Sequence, residues 1–237
     1  MLVVSNAVTR NWLRSGSGPF FSFLFPVILL LVLGSIYGNP DAGSYYLPGL
    51  IAAFIMTNGV IGLTNVGSEL RRNGTLRRLS ATPLTKLEWL LGNVLSQIVL
   101  AFALAAVMLT LGVAFYNASA LINAYSVVAL LLDTILFSGV GMSVAGLVKD
   151  PEVASGLGNV IAFPMMLLSG IFWPISSMPS YLQTVAKALP LTYFADGLRN
   201  SMVPADFSAA FADLVVVAVF AVVLIILGAR FTLWKES

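Results

Sequence analysis

The chain has 237 residues, of which 59% are hydrophobic and 9% are charged, and it contains neither Cys nor His. A soluble domain carries roughly a quarter charged residues, so this composition, with a mean hydropathy of +0.96, indicates a membrane protein. The missing Cys and His exclude disulfides, thiol and histidine catalysis and Cys/His metal sites, and the net charge of +2 is too small to indicate nucleic-acid binding.

Residues 1–15 precede the first long apolar stretch and have an amphipathic pattern. Val4, Val8 and Trp12 recur at helical spacing among polar and basic residues. Trp and basic side chains together suit a helix that lies at the level of the lipid headgroups and contacts membrane lipids. We therefore expect an N-terminal interfacial helix, with a disordered leader as the alternative.

Stretches without charge that are long enough to cross a membrane recur along the chain. A transmembrane helix needs about 20 apolar residues, and the charge-free run from Trp89 to Leu132 is long enough for two helices separated by the polar passage 116–126. Because hydrocarbon offers backbone groups no hydrogen-bond partners and no strand-like alternation occurs, every span should be helical. We predict an all-α polytopic membrane protein with six spans, at about residues 19–37, 46–67, 89–115, 121–148, 153–173 and 211–230.

The basic residues are distributed unevenly between the two sides that these spans define. Ten of the twelve fall on one side, which the positive-inside rule assigns to the cytoplasm. Only Lys187 and Arg199 fall on the other side, in the connection before the last span. Both termini should therefore be cytoplasmic, together with the loop at residues 68–88 between the second and third spans.

That loop concentrates charge between two apolar spans. Its segment "SELRRNGTLRRL" (68–79) has helix formers on both sides of Asn73-Gly74, and Pro83 ends any helix. We expect one or two short helices that lie across the membrane surface. One interpretation of the arginines is that they only anchor the topology and contact anionic headgroups.

Polar residues inside the spans are candidates for a substrate pathway. Asp133 lies about halfway along the fourth span, where a carboxylate is unfavourable and indicates function by default. It either binds a cationic substrate or packs by hydrogen bonding, to a neighbouring helix or to hydroxyls such as those of Thr134 and Ser138. The same alternative, pathway or helix packing, holds for three amides: Asn58, Asn65 and Asn159.

Two further segments carry recognisable runs, "ELRRNGTLRRLSATPLTKLEWLLGNVLSQ" (69–97) and "FPMMLLSGIFWPISSMPSYLQTVAKALPLTYFADGLRN" (163–200). The first resembles the first cytoplasmic loop of type-2 ABC exporter permeases, the membrane subunits of drug, polysaccharide and antibiotic-resistance exporters. The second resembles the end of the fifth helix in that family, with its Ser-Gly-x-Phe-x-Pro, Pro-Leu-Thr-Tyr and Gly-Leu-Arg runs. One departure is Arg77, which stands where an acidic residue is frequent in the family.

The resemblance implies that the loop at 68–88 holds a coupling helix, which docks into a cleft on a separate cytoplasmic ABC ATPase subunit. It implies a connecting helix at residues 1–15 as well, and a re-entrant helical hairpin over the external segment 174–210, for which a small external subdomain is the alternative. The implied docking surface, which Gly74 and Pro83 shape, consists of Glu69, Arg71, Arg72, Gly74, Thr75, Leu76, Arg77, Arg78 and Pro83.

The chain lacks the G-x-x-x-x-G-K-[ST] phosphate-binding motif. We therefore expect it to be no enzyme by itself and to hold no cofactor or metal, with ATP and Mg²⁺ bound to the partner ATPase.

The function predicted for the single permease domain, residues 1–237, is export of a drug-like or lipid-like substrate across the cytoplasmic membrane of a prokaryote. The resemblance implies the outward direction and an assembly of two permease copies with two ATPase subunits. One alternative is export of a polysaccharide or lipid-linked glycan by the same architecture. Another is an autonomous ion-coupled transporter or channel, which usually shows internal repeats or several intramembrane charges, whereas this chain shows no clear repeat.

Overall fold

Helices make up almost all of the part of the chain that the structure describes. This computed structural model describes residues 20–37, 42–75, 78, 86–117, 122–148, 150–202 and 207–231, and no strand occurs within them. The prediction of an all-helical protein is confirmed over these residues. The predicted interfacial helix at residues 1–15 lies outside them.

In chain order, the α-helices of the described residues are α1 Phe25–Tyr37, α2 Leu47–Thr57, α3 Leu63–Arg72, α4 Lys86–Tyr116, α5 Ala124–Leu147, α6 Pro151–Leu168, α7 Ser180–Lys187, α8 Pro190–Met202 and α9 Phe207–Phe231. Short π-helical segments precede α1 and α2, at Phe20–Leu24 and Ala42–Tyr46. A third, Asn58–Gly62, joins α2 to α3, and a 3₁₀ turn at Ile175–Ser177 precedes α7.

Four helical stretches in the described part are long and apolar enough to cross a membrane: Gly43–Arg72, Glu88–Tyr116, Ala124–Leu147 and Pro151–Leu168. They coincide with the predicted second to fifth spans. At the position of the predicted first span the apolar helix is shorter, at Ser22–Tyr37. At the position of the predicted sixth span α9 runs from Phe207 to Phe231 and includes the apolar segment Ser208–Val223. The topology of six spans with cytoplasmic termini therefore stays a prediction.

The helix of the second span continues past residue 68, where we predicted the coupling loop to begin. It ends only at Arg72, where Asn73 caps α3 and Gly74 takes a φ of +64°, the left-handed conformation common just after a helix. Arg71 and Arg72 lie in the last turn, where positive charge interacts favourably with the helix dipole. The apolar stretch thus stops more than a turn before the helix does.

The helix of the predicted fifth span ends earlier than expected, at Leu168 instead of Trp173. Gly170 follows with a φ of +71°, a conformation that residues with a Cβ adopt at a cost of roughly 1–2 kcal/mol. The chain turns here and leads into the 3₁₀ turn.

Two helices, α7 and α8, occupy the predicted external segment 174–210. α8 packs against α2, α5 and α9, and its Leu191, Phe194, Ala195 and Leu198 belong to the hydrophobic core. α8 is therefore part of the bundle, whereas the alternative prediction was a separate external subdomain. That the pair enters the membrane as a re-entrant hairpin stays a prediction.

The centre of the bundle is α2, in which every residue from Leu47 to Met56 is buried. A helix that is apolar on all sides is one surrounded by other helices, and α4, α5 and α8 pack around it. α6 is peripheral by contrast, because one of its faces exposes Val153, Leu157, Val160, Phe163 and Leu167.

Candidate functional site

Small residues bring the helix of the second span against α5 with their backbones in contact. A methyl group on Gly141 would overlap the carbonyl oxygen of Gly59, and one on Gly67 would lie 2.6 Å from the Cβ of Ala145. Between these points the Thr64 hydroxyl donates a hydrogen bond of 3.0 Å to the Gly141 carbonyl. Small residues allow helices in a membrane to approach this closely. We call this contact of Gly59, Thr64 and Gly67 with α5 the glycine seam.

The contacts of the glycine seam advance in the same direction along both helices. Gly59 and Thr64 meet α5 at Gly141, and Gly67 meets it at Ala145. The two helices are therefore parallel, and their carboxyl ends lie at the same end of the bundle. We call this the Arg71 end, and the opposite end, where the helix of the second span begins, the Arg199 end.

Arg71 extends the glycine seam to the last turn of α5. Its Nη1 donates hydrogen bonds to the carbonyl oxygens of Gly146 at 2.8 Å and Ala145 at 3.4 Å. The last four carbonyls of a helix have no partner within it, and a guanidinium there also interacts favourably with the helix dipole. The half-buried side chain of Arg71 is thus occupied within the chain, which favours a bracing role over direct docking.

The other docking candidates lie around the same end of α3. Glu69, Arg72 and Arg78 are exposed, and Gly74 and Thr75 are half-buried. The Arg78 Nη2 donates to the Asn73 carbonyl at 2.9 Å, so the side chain of Arg78 contacts the end of α3. Leu76, Arg77 and Pro83 lie outside the described residues.

Asp133 lies in the middle of α5 and is completely buried. Neither of its carboxylate oxygens has a hydrogen-bond partner among the described residues. The Thr134 hydroxyl donates to the Leu130 carbonyl at 2.6 Å instead, and the Ser138 hydroxyl also has no partner in that part of the chain. The packing alternative for Asp133 therefore lacks both of the hydroxyl partners that we named for it.

The three candidate amides stand on two helices and do not form one cluster with Asp133. Asn58 accepts a hydrogen bond of 2.7 Å from the Ser22 hydroxyl, and the buried Oδ1 of Asn65 has no partner among the described residues. Asn159 is half-buried on α6, which packs against α3. Within the described ranges no hydrogen bond joins any two of these four candidates.

Sequence reasoning used Arg199 to mark the external side and as part of the Gly-Leu-Arg run, and the structure brings two other parts of the chain into contact with it. Its guanidinium reaches Tyr45, at the start of the helix of the second span, and Gly170, just beyond α6. The usable signal was the Gly-Leu-Arg run, which places a cation among apolar residues. The partner Tyr45 lies 154 residues away in the sequence and could not have been identified from the pattern.

The charged contacts of the described residues mainly join parts of the chain to one another. In this part of the chain no group of three or more His, Cys, Asp or Glu is placed to hold a metal ion. The charged features instead join one helix to another at either end of the bundle.

Residues 1–203 match the family described as "ABC-2 type transporter". The chain is 29% identical over 157 residues to the linearmycin resistance permease protein LnrN of Bacillus subtilis, a match that covers 64% of this chain and 39% of that protein. It is 24% identical over 190 residues to the daunorubicin resistance ABC transporter permease protein DrrB1 of Streptomyces coeruleorubidus, covering 76% and 66% of the two chains. It is also 28% identical over 162 residues to the probable multidrug ABC transporter permease YbhR of Escherichia coli, covering 67% and 43%.

The matched part thus spans less than two thirds of the length of each of these relatives.

Proposed function

We propose that this chain, which belongs to the ABC-2 type transporter family, is the membrane permease of an ATP-driven exporter. The observation that carries the proposal is the family match over residues 1–203. Relatives of the chain are named a daunorubicin resistance ABC transporter permease protein and a probable multidrug ABC transporter permease. ATP and Mg²⁺ bind to a separate cytoplasmic ATPase subunit, and this chain supplies the route through the membrane.

The coupling loop at residues 68–88 docks on that ATPase subunit. The exposed charges of Glu69, Arg72 and Arg78 at the Arg71 end support this role, because charges across an interface fix its register and speed its formation. Thr75, Leu76 and Arg77 complete the docking surface, Gly74 and Pro83 shape it, and Arg71 braces it from behind.

The brace gives a physical route from the docking surface into the membrane. Arg71 lies in the last turn of the second span's helix and bonds to the last turn of α5, and the glycine seam joins the same two helices further on. A displacement of the coupling loop therefore moves two helices together. This is the movement that a nucleotide-driven subunit must impose to open a pathway.

The proposed topology has six spans and cytoplasmic termini, with the interfacial helix at residues 1–15 and the re-entrant hairpin before α9. The parallel directions of the second span and α5 support it, since two parallel helices need one return crossing between them, which α4 provides. The chain acts in the cytoplasmic membrane of a prokaryote as two copies with two ATPase subunits.

The substrate is an amphipathic drug-like or lipid-like molecule. The names of the relatives, which include resistance to linearmycin and daunorubicin, support this class. Asp133 supplies a carboxylate for a cationic group on such a substrate. Its complete burial without a partner in the described part of the chain supports this role, because a carboxylate inside a membrane is rarely retained without a use.

The test is reconstitution of the chain with the ATPase subunit that copurifies with it. In inside-out vesicles we expect ATP-dependent accumulation of daunorubicin, a fluorescent amphipathic cation, or ATP-dependent transfer of a fluorescent phosphatidylethanolamine between leaflets. An ATPase subunit that lacks its catalytic glutamate is the control and should abolish both. Transport by the purified chain alone, without nucleotide, would contradict the proposal.

A further inference from the structure

The guanidinium of Arg199 is surrounded by acceptors from different parts of the chain. Its Nε donates to the Tyr45 carbonyl at 3.2 Å and its Nη2 to the Gly170 carbonyl at 2.8 Å. Its Nη1 forms a salt bridge of 2.8 Å with the Asp196 carboxylate, and only 12% of the Arg199 side chain is exposed. We call Tyr45, Gly170, Asp196 and Arg199 the outer joint.

The face of the guanidinium is also in contact with a partner. Its Cζ lies 4.0 Å from the centre of the Tyr45 ring, a cation–π geometry that stabilises most where water is excluded. The same tyrosine donates its hydroxyl to the Gly170 carbonyl at 2.5 Å. Tyr45 and Gly170 are therefore bonded to each other as well as to Arg199.

The surrounding chain is shaped to admit this side chain. A methyl group on Gly49 would lie only 2.7 Å from the Arg199 Nη2, so a side chain there would displace the guanidinium. Gly170 accepts both hydrogen bonds from a backbone with a φ of +71°, which glycine adopts without strain. Two glycines thus stand where the outer joint needs room and an unusual backbone conformation.

Only arginine has the geometry for these contacts. Its planar guanidinium carries five donors in fixed directions and stacks on an aromatic ring, whereas the lysine ammonium is a compact charge on a flexible stem. The other basic residue on this side of the bundle, Lys187, is exposed at the end of α7. Lys187 and Arg199 are therefore close in sequence, but only Arg199 is largely buried among partners from other parts of the chain.

We propose that Arg199 is a positioning residue for transport, which makes the start of the second span, the end of α6 and α8 move as one unit. This inference rests on the proposed function. The helix Gly43–Arg72 is about 45 Å long at 1.5 Å per residue, and it carries the Arg71 brace at one end and the outer joint at the other. The outer joint fixes the Arg199 end of this helix to α8 and to the turn beyond α6, so movement imposed at the Arg71 end is passed to all three together.

The experiment compares three variants of the reconstituted transporter: Arg199→Gln, Arg199→Lys and the matched control Lys187→Gln, which removes a positive charge from the same helical pair outside the joint. The readouts are the maximal rate of daunorubicin accumulation, its half-saturating concentration and the number of ATP molecules hydrolysed per drug molecule. The amount of assembled complex is measured alongside.

In Arg199→Gln we expect the maximal export rate to fall about tenfold or more, with ATP hydrolysis retained, so that the ATP used per drug rises by the same factor. Arg199→Lys should recover only part of the loss, and Lys187→Gln should behave as wild type. A purely structural role would lower assembly, export and hydrolysis together, and that outcome overturns the proposal. Export by Arg199→Gln at the rate of Lys187→Gln overturns it too.

If Arg199→Gln does not assemble, Tyr45→Phe decides the matter, because it removes only the hydroxyl bonded to Gly170. A rise in ATP used per drug supports the outer joint, and unchanged coupling overturns it. The wild-type transporter separates this question from the proposed function. If the wild type shows no nucleotide-dependent transport of daunorubicin or of the fluorescent lipid, the exporter assignment fails and the inference falls with it.

Discussion

The Nη1 atom of Arg71 lies 2.8 Å from the carbonyl oxygen of Gly146, which joins the last turn of the second span's helix to the last turn of α5. The two residues are 75 positions apart in the sequence, and a complete helix, α4, lies between them. Arg71 was one of several arginines in the coupling loop with the same predicted role. Arg71 contacts α5, whereas its neighbour Arg72 is exposed. A bracing role for Arg71 and a docking role for Arg72 can therefore be tested with separate variants.

Replacement of Arg71 by Gln should destabilise the chain itself. The hydrogen bonds from a charged donor are worth about 1.5–3 kcal/mol when buried, and the half-exposure of this side chain reduces the expected loss to about 1–2 kcal/mol. Denaturant unfolding of the purified chain in a mild detergent measures it. Arg72→Gln is the control, since an exposed side chain should change the unfolding free energy by less than about 0.5 kcal/mol. Equal losses in the two variants would contradict the brace.

Charge reversal in the coupling loop should act on the partner and spare the fold. We expect Arg77→Glu combined with Arg78→Glu to weaken copurification of the ATPase subunit and to uncouple ATP hydrolysis from export, because the charges that fix the interface would then repel their partners. Pull-down of the ATPase subunit and the ratio of ATP used to drug exported measure the two effects. Lys187→Glu, at the Arg199 end, should change neither. Normal export and normal drug-stimulated hydrolysis in the double variant would count against docking at this loop.

A methyl group in the glycine seam should separate two helices. Gly141→Ala places its Cβ on the Gly59 carbonyl oxygen, and overpacking of this kind costs about 1–3 kcal/mol. Gly139→Ala is a matched control two residues away on the same helix, because a methyl there meets nothing within 4 Å; higher helix propensity should make it neutral or stabilising by up to about 1 kcal/mol. Thermal unfolding in detergent compares the two. If both variants unfold alike, the helices do not touch as described.

Replacement of Asp133 by Asn should separate binding from packing. The carboxylate has no hydrogen-bond partner in the described ranges, so we expect the unfolding free energy of Asp133→Asn to equal or exceed that of the wild type. Accumulation of cationic daunorubicin should fall several-fold, while transport of an uncharged fluorescent drug stays near the wild-type rate. Equal losses for both probes would show that Asp133 serves packing.

Hydropathy located the helices of the predicted second to fifth spans, because a bilayer requires long apolar stretches. The runs at Trp89–Phe115 and Leu121–Val148 became α4 and α5 within about three residues at each end. The helix ends were harder to predict, because a helix can continue beyond the apolar stretch that crosses the membrane. Leu63–Arg72 continues into the charged segment since nothing before Asn73 interrupts it, and α6 stops at Leu168 because Gly170 turns the chain.

The contacts that distinguish one arginine from another could not be predicted from the sequence. The pattern identified Arg71 and Arg72 together as basic residues of one loop, yet Arg71 contacts α5 and Arg72 faces outward. Arg199 was counted for its charge, while its contacts are with Tyr45, at the start of the second span's helix, and with Gly170, in the turn beyond α6. Helical periodicity specifies which face of a helix is apolar, but which helix covers that face is decided by packing across the whole chain.

The two backbones that meet at Gly59 and Gly141 have no side chain between them. A gap wide enough for a solute cannot open there without breaking the contact along its whole length, including the Thr64 hydrogen bond to Gly141. In this conformation the proposed substrate pathway therefore passes beside this pair of helices and not between them.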